Sequence, residues 1–157
     1  MNLPIKVQDS IVVVIALDAQ GKVIAQGSGV LVSSGKIAAN LHVVQGGAFY
    51  LVGLGAKLCA ATLYAEDSEK DICLLEAADI DGNPVQLGKT ESLDAGAPVV
   101  AVGAQMVSEI SISNGIVTQL WGGESPFIQT TAVVPHDSGG SALFDEQGRF
   151  VGLTTFL

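Results

Sequence analysis

The sequence predicts an all-β protein in which two antiparallel Greek-key barrels of the six-stranded type pack together. Short apolar stretches rich in β-branched residues alternate with turn residues, and 19 glycines punctuate the 157 residues. Long amphipathic helical periods are absent. The predicted strands fall into two runs of about equal number, which favours paired barrels over a single sandwich.

The first run of strands is marked by apolar stretches with turn residues between them. Ile11–Leu17 is continuously apolar, which predicts a buried strand. Gly27 and Gly29 predict a bulge or bend in the next strand, and a helical turn is expected over Leu41–Gln45. The predicted strands are Ile11–Leu17, Val23–Val32, Lys36–Asn40, Phe49–Val52, Ala56–Tyr64 and Asp71–Glu76.

The second run follows a stretch rich in Asp, Gly, Asn and Pro, a composition typical of a connector. We therefore expect one domain over 1–157, with an N-terminal barrel at 1–78, a connector at 79–97 and a C-terminal barrel at 98–157. The strands predicted in the second barrel are Val99–Gly103, Glu109–Leu120, Phe127–Val134, Ser141–Phe144 and Phe150–Thr155.

Charge and composition restrict the possible partners. A net charge of −9 argues against binding nucleic acid or an anionic membrane through bulk electrostatics. No apolar run approaches the roughly 20 residues of a membrane span, and the N-terminus lacks a signal-peptide pattern. This pattern predicts a cytoplasmic chain or one whose targeting segment has been removed. Cys59 and Cys73 are expected to be buried reduced thiols, and the absence of a ligand cluster predicts neither a metal nor an organic cofactor.

The stretch Pro135–Ser141 carries the strongest chemical signal. It places Ser138 between an acid and two glycines, a pattern typical of a nucleophile on a tight turn, although ordinary turns use the same residues. A serine hydroxyl needs a base to take its proton, and acyl transfer needs N–H groups aimed at the developing oxyanion.

A partner base and acid for Ser138 can be sought among few residues. His42 follows a predicted strand end and is either a structural histidine or the base. His136 is less suited to be the base, because residues two apart on a tight turn rarely align as required. Asp71 begins an apolar strand, where it either pairs with Lys70, caps a turn, or orients the imidazole of His42.

Three segments in this order resemble the trypsin-like serine proteases, most closely the HtrA type. They are Gly27–Val32 with Ile37–Val44, Asp67 with Asp71–Leu75, and Ile128–Thr130 through Gly140, followed by Gly148–Thr155. The chain order of histidine, aspartate and serine is that of the chymotrypsin fold rather than of subtilisin or the α/β-hydrolases.

The resemblance implies a role for each matching residue. His42 would act as general base and then general acid, Asp71 would hold its tautomer, and Ser138 would attack the peptide carbonyl. His136, Asp137 and Ser138 would form the oxyanion hole, with the N–H groups of His136 and Ser138 donating. The implied function is a serine endopeptidase that works through an acyl-enzyme on polypeptide substrates.

The resemblance also implies where substrate binds. Ala132 and Val133 match the floor and wall of the primary specificity pocket, which predicts a small or medium apolar residue before the scissile bond. Thr155, Phe156 and Leu157 match the edge that pairs with the substrate backbone. Thr155 is alternatively a hydroxyl donor to the catalytic acid or an exposed strand threonine.

Two departures from the family pattern leave an alternative open. His136 stands where the family usually has glycine, and the sequence stops at Leu157, where the family continues into a last strand. The second barrel is therefore expected to lack that strand, so a homo-oligomer or a strand-completing partner is considered. The alternative is a weakly active or inactive protease-like domain that binds extended peptides; a structural domain with accidental motifs is a third hypothesis. The family resemblance suggests a bacterial periplasmic or secreted setting.

Overall fold

The computed structural model describes residues 9–106, 109–121, 127–132 and 140–155, which fold into two antiparallel β-sheets. The first sheet contains β1 (Ile11–Leu17), β2 (Val23–Ser33), β3 (Lys36–Asn40), β4 (Phe49–Leu54), β5 (Lys57–Asp67) and β6 (Ile72–Glu76). A short helix, α1 (Leu41–Val44), follows β3. The second sheet contains β7 (Pro98–Met106), β8 (Glu109–Trp121), β9 (Phe127–Thr130), β10 (Ala142–Phe144) and β11 (Phe150–Leu153).

The first sheet is a closed barrel with the strand order β1-β2-β3-β6-β5-β4. Closure comes from β1, which pairs antiparallel with β2 on one side and with β4 on the other. A closed barrel leaves no unpaired strand edge, so its backbone hydrogen bonds are satisfied all the way round.

The second sheet has five strands in the order β11-β10-β7-β8-β9. This order repeats that of the first barrel without its sixth strand, and β9 and β11 are its two edges within the described residues. The predicted all-β, chymotrypsin-like pair of barrels is confirmed, with a closed six-stranded barrel and a curled five-stranded half-barrel.

Strand β1 explains how one apolar run serves two hydrophobic cores. Side chains alternate between the faces of a strand, so neighbours point in opposite directions. Val12 and Val14 enter the core of the first barrel, whereas Ile11 and Val13 enter the cluster that lies between the sheets. That second cluster contains Ile11, Val13, Val30, Ala38, Val100, Val102, Ala104, Ala142 and Phe144. Burial on both faces is why this strand is apolar throughout.

Several predicted element bounds need correction. The register shift of β2 against β3 lies between Leu31 and Ser33, not at Gly27 or Gly29. Gly29 instead permits close packing, because a Cβ there would lie 2.7 Å from Ile37 Cγ2 and 2.9 Å from Val14 Cγ2. Gly29 therefore allows β2 to pack closely against side chains of β1 and β3.

The ends of the second-sheet strands also differ from the prediction. Strand β9 ends at Thr130 rather than Val134; of the predicted remainder, 133–134 lies outside the described residues. Strand β11 ends at Leu153 rather than Thr155. At this point the N–H of Ser141 donates to the Thr154 hydroxyl rather than to a backbone carbonyl, although the N–H of Thr154 still donates to the Ser141 carbonyl.

The stretch predicted as a connector is tied to both sheets. The N–H of Val85 donates to the carbonyl of Leu31 in β2. On the β11 side, the N–H of Gly88 donates to the carbonyl of Phe150, and the N–H of Phe150 donates to the carbonyl of Gln86. A single 3₁₀ turn, Thr90–Ser92, follows in this stretch. The division at 79–97 stays a prediction.

Two smaller predictions can be compared with the structure. Cys59 and Cys73 are both free and buried, which confirms their prediction as reduced thiols. No helix within the described ranges is long and apolar enough to cross a bilayer.

Candidate active site

Strand pairing brings His42 and Asp71 together although they are 29 residues apart. Strands β3 and β6 are antiparallel neighbours, and their register sets Asn40 opposite Ile72. His42 lies just beyond the end of β3, on α1, and Asp71 lies just before the start of β6. Both side chains therefore emerge at the same rim of the first barrel.

The two side chains form a close hydrogen-bonded pair. His42 Nδ1 lies 2.6 Å from Asp71 Oδ2, and the backbone N–H of His42 donates to Asp71 Oδ1 at 2.8 Å. The pair is partly open to solvent, with 43% of the His42 side chain exposed and 25% of that of Asp71. The two contacts fix both the position and the rotation of the carboxylate against the imidazole.

Thr155 provides a further bond to the same carboxylate. Its hydroxyl donates to Asp71 Oδ2 at 2.8 Å, across 84 residues of sequence. The bonds between Thr154 and Ser141 hold this segment beside β10 and thereby place the hydroxyl. Of the alternatives left open for Thr155, the structure supports a donor to the acid.

Asp71 is held in its charged form by these donors. Burial raises the pKa of the Asp71 carboxyl, but hydrogen bonds from the His42 ring, the Thr155 hydroxyl and the His42 backbone outweigh it. The pKa therefore lies below its ordinary value of 3.8. An ionised carboxylate only accepts hydrogen bonds, so His42 Nδ1 must carry the proton, and the neutral imidazole then has its lone pair at Nε2.

The competing interpretations of Asp71 do not fit the structure. Lys70 Nζ lies 3.8 Å from Asp67 Oδ2, so the lysine pairs with Asp67 instead. Asp67 is also the residue that caps the turn, since its Oδ1 accepts the N–H groups of Glu69 and Lys70. Asp71 is thus left to His42 and Thr155.

The backbone of Asp71 is itself unusual, because it is the only non-glycine residue with positive φ in the described chain, at 56°. This left-handed conformation is disfavoured for residues with a side chain. The carbonyl of Asp71 accepts two hydrogen bonds, from the N–H of Leu41 at 3.1 Å and from Asn40 Nδ2 at 3.2 Å. These bonds stabilise the turn that aims the carboxylate at the histidine.

Asn40 is a site neighbour to which sequence reasoning assigned no role. Its side chain is fully buried at the end of β3, where an apolar residue would be ordinary. A polar residue at that position was the available signal, but an asparagine before a helical turn is usually explained as an N-cap. Here it makes no side-chain cap hydrogen bond to α1.

The other predicted site residues fall into two groups. Ala132 is buried and packs in the core of the second sheet with Val117 and Leu143, so its place in a specificity pocket stays a prediction. Val133, His136, Asp137, Ser138, Phe156 and Leu157 lie outside the described residues. Within the described ranges, no cluster of three or more metal-ligating side chains is present.

A six-stranded barrel that presents a carboxylate-bound histidine beside a second half-barrel defines a chymotrypsin-type domain. The trypsin-like peptidase domain family matches residues 27–153, and the chain belongs to that family. The match includes His42 and Asp71 and covers every strand of both sheets except β1 and the start of β2.

Similar curated proteins carry names of two kinds. The chain is 32% identical over 152 residues to the anti-sigma-I factor RsgI9 of Acetivibrio thermocellus, covering 94% of this chain and 22% of that protein. It is 32% identical over 147 residues to a probable periplasmic serine endoprotease, DegP-like, of Pseudomonas fluorescens, covering 88% and 30%. The DegP-like protein of Hahella chejuensis is 33% identical over 138 residues, covering 82% and 29%. The chain thus spans less than a third of the length of these relatives.

Proposed function

We propose that the protein is a serine endopeptidase that hydrolyses peptide bonds through an acyl-enzyme. The observation that carries the proposal is the His42–Asp71 hydrogen bond of 2.6 Å, with the Thr155 hydroxyl on the same carboxylate oxygen. This arrangement leaves His42 Nε2 as the basic atom, which is what a serine nucleophile requires. Family membership supports the reaction class.

In the proposed reaction Ser138 is the nucleophile. Its Oγ forms a bond to the substrate carbonyl carbon while its proton passes to His42 Nε2. His42 then gives that proton to the leaving amine as the peptide C–N bond breaks. Water attacks the resulting ester, again giving a proton to Nε2, and Ser138 recovers its proton when the acid product leaves.

Asp71 and the oxyanion hole stabilise charges that form during the reaction and make no covalent bonds themselves. The Asp71 carboxylate stabilises the imidazolium that forms at each proton transfer and keeps Nδ1 as the donor. The N–H groups of His136 and Ser138, on either side of Asp137, are proposed to bind the oxyanion of the tetrahedral intermediate. Loss of one such donor typically costs about 10²–10³-fold in kcat.

Substrate selection is proposed to favour a small or medium apolar residue before the scissile bond. Ala132 and Val133 bring no charge to the pocket, so Lys or Arg there would be left without a counter-ion. The substrate backbone is proposed to add as a strand along Thr155, Phe156 and Leu157. Profiling with a peptide library tests the preference, and predominant cleavage after basic residues would contradict it.

Polypeptides are the proposed partners, with a periplasmic or secreted setting. The location is supported by the periplasmic names of the DegP-like relatives. The edges of the second sheet at β9 and β11 are proposed to pair with another copy or with a strand-completing partner. Mass measurement in solution tests self-association. A protein that is monomeric at all concentrations would exclude pairing with another copy and leave pairing with a strand-completing partner.

A weakly active or inactive domain that binds extended peptides is the second candidate. It is favoured by the similarity to an anti-sigma-I factor, a relative whose name is not that of an enzyme. The histidine at position 136, where glycine is usual in the family, also favours it, because a side chain restricts the backbone that forms the oxyanion hole.

Labelling with a fluorophosphonate probe separates the two functions. Such a probe reacts with a serine only when a base and an oxyanion hole activate it. Labelling of the wild type that disappears in Ser138→Ala supports the endopeptidase. No labelling, together with retained binding of an extended peptide, supports the peptide-binding domain.

A further inference from the structure

The carbonyl oxygen of the Asn40 side chain is the one buried side-chain polar atom in the described chain without a hydrogen-bond partner. Buried polar groups are normally satisfied, since leaving one unpaired costs about 1–3 kcal/mol. The same side chain does use its nitrogen, because Nδ2 donates to the Asp71 carbonyl. The amide is therefore oriented by Asp71, and the oxygen is directed where no donor meets it.

That oxygen faces Gly140, two residues beyond Ser138 in sequence. A Cβ placed on Gly140 would lie 1.7 Å from Asn40 Oδ1, so the glycine and the amide oxygen are in direct van der Waals contact. Gly140 also has a positive φ of 64°. Only glycine fits a position with both constraints.

Asn40 thus touches both sides of the site. Its nitrogen binds the carbonyl of the one non-glycine residue with positive φ in the described chain, Asp71. Its oxygen contacts Gly140, which lies between Ser138 and the start of β10 in the sequence. Its own backbone is fixed in β3, one residue before the helix that carries His42.

We propose that Asn40 is a positioning residue that fixes the Asp71 turn against Gly140 and so sets the geometry of the His42–Asp71 pair. This inference rests on the proposed function, but it predicts an effect on the pair that is observable without catalysis. Removal of the amide releases the Asp71 carbonyl from one of its two donors and opens the contact with Gly140. The Asp71 backbone is then held less firmly, so the carboxylate can shift relative to the imidazole.

The test compares Asn40→Ala and Asn40→Leu with Ser28→Ala as the matched control. Ser28 is equally buried and also bonds to backbone, but its hydroxyl serves Ala104 between the sheets rather than Asp71. Asn40→Leu keeps the side-chain size without the amide. Asn40→Ala adds no atoms, so it cannot overpack the site. Circular dichroism establishes that each variant is folded.

The first readout is the low-field proton resonance of the His42 Nδ1–H group, assigned by its loss in His42→Gln. In both Asn40 variants it is expected to move upfield or broaden as the bond to Asp71 loosens, and in Ser28→Ala to stay as in the wild type. The second readout is the rate of fluorophosphonate labelling, expected to fall about tenfold or more in the Asn40 variants, as misplacement of a catalytic group does.

Three results would overturn the proposal: an unchanged His42 resonance in folded Asn40→Ala, an equal change in Ser28→Ala, or failure of Asn40→Ala to fold where Ser28→Ala folds. The last would assign Asn40 to stability rather than to positioning. Absence of labelling in the wild type itself would count against the proposed function alone, since the resonance still decides the role of Asn40.

Discussion

The hydroxyl of Thr155 donates a 2.8 Å hydrogen bond to Asp71 Oδ2 and so connects the two sheets at the candidate active site. Asp71 precedes the last strand of the first barrel, and Thr155 follows the last described strand of the second sheet. The pKa of the Asp71 carboxyl therefore depends on how the two sheets are packed.

Thr155→Val removes this donor while keeping the side-chain shape. Because the Thr155 hydroxyl lowers the pKa of Asp71, we expect that pKa to rise in the variant. Activity should fall about tenfold or more, since a hydrogen bond to a charged group is worth about 1.5–3 kcal/mol. NMR titration of the Asp71 carboxyl measures the first effect and peptide hydrolysis the second. Thr155→Ser should restore both, and Thr62→Val, at an exposed position of β5, is the control. An unchanged Asp71 pKa in Thr155→Val would contradict the assignment.

The lowered pKa of Asp71 predicts how stability varies with pH. A carboxyl whose pKa is lower in the folded protein contributes stability above its unfolded value, near 3.8, and loses it as the pH falls through the folded value. The stability difference between wild type and Asp71→Asn should thus be present at about pH 6 and shrink steadily below about pH 4. Urea unfolding at several pH values measures it, with exposed Asp79→Asn as the control. A difference that stays constant into acid contradicts the lowered pKa.

The Cys73 thiol should be unreactive in the folded protein. Burial first, and then the negative charges of Asp71 and Glu66, raise its pKa to about 11. Since the thiolate is the reacting form, a disulfide reagent at about pH 8 should not modify Cys73 until denaturant is added. Cys59→Ala isolates the signal of Cys73. Rapid modification without denaturant would show that the start of β6 opens readily.

Gly140→Ala should reveal the contact with Asn40 through stability. Alanine at positive φ costs about 1 kcal/mol by itself, and its Cβ would also meet Asn40 Oδ1. We expect a larger loss in the wild-type background than in Asn40→Ala, where only the backbone cost remains. Denaturant unfolding of the double-mutant cycle measures the difference. Equal losses in both backgrounds would mean that the two residues are not coupled.

The architecture could be predicted because it follows from local patterns, whereas the His42–Asp71 pair was selected from open alternatives by the resemblance to trypsin-like proteases. Apolar runs of strand length define β1, β3 and β6, and the two site residues lie at ends of such runs. The role of Thr155 stayed open in the sequence, since nothing local says which carboxylate its hydroxyl will meet. The bulge predicted at Gly29 is absent for the same reason: the side chains of Val14 and Ile37 that require a glycine come from other strands.

Asn40 shows a different limit of sequence reasoning. Its position before a helical turn suggests a cap, yet the amide bonds to Asp71 across the sheet and leaves α1 without a side-chain cap. A cap would use Oδ1 to accept a backbone N–H, whereas the bond that forms uses Nδ2 as a donor to the Asp71 carbonyl. The register of β3 against β6 brings that carbonyl within reach, and the composition of neither strand specifies this register.

The central claim is that His42, held by Asp71, activates Ser138, and its most direct measurement is the rate of fluorophosphonate labelling in wild type and Asp71→Asn. The wild type should be labelled rapidly at neutral pH, because His42 Nε2 takes the proton of Ser138. In Asp71→Asn the rate should fall by up to about 10⁴-fold at neutral pH, the loss typical when the acid of such a triad is made neutral. A rate that is unchanged by Asp71→Asn would contradict the account.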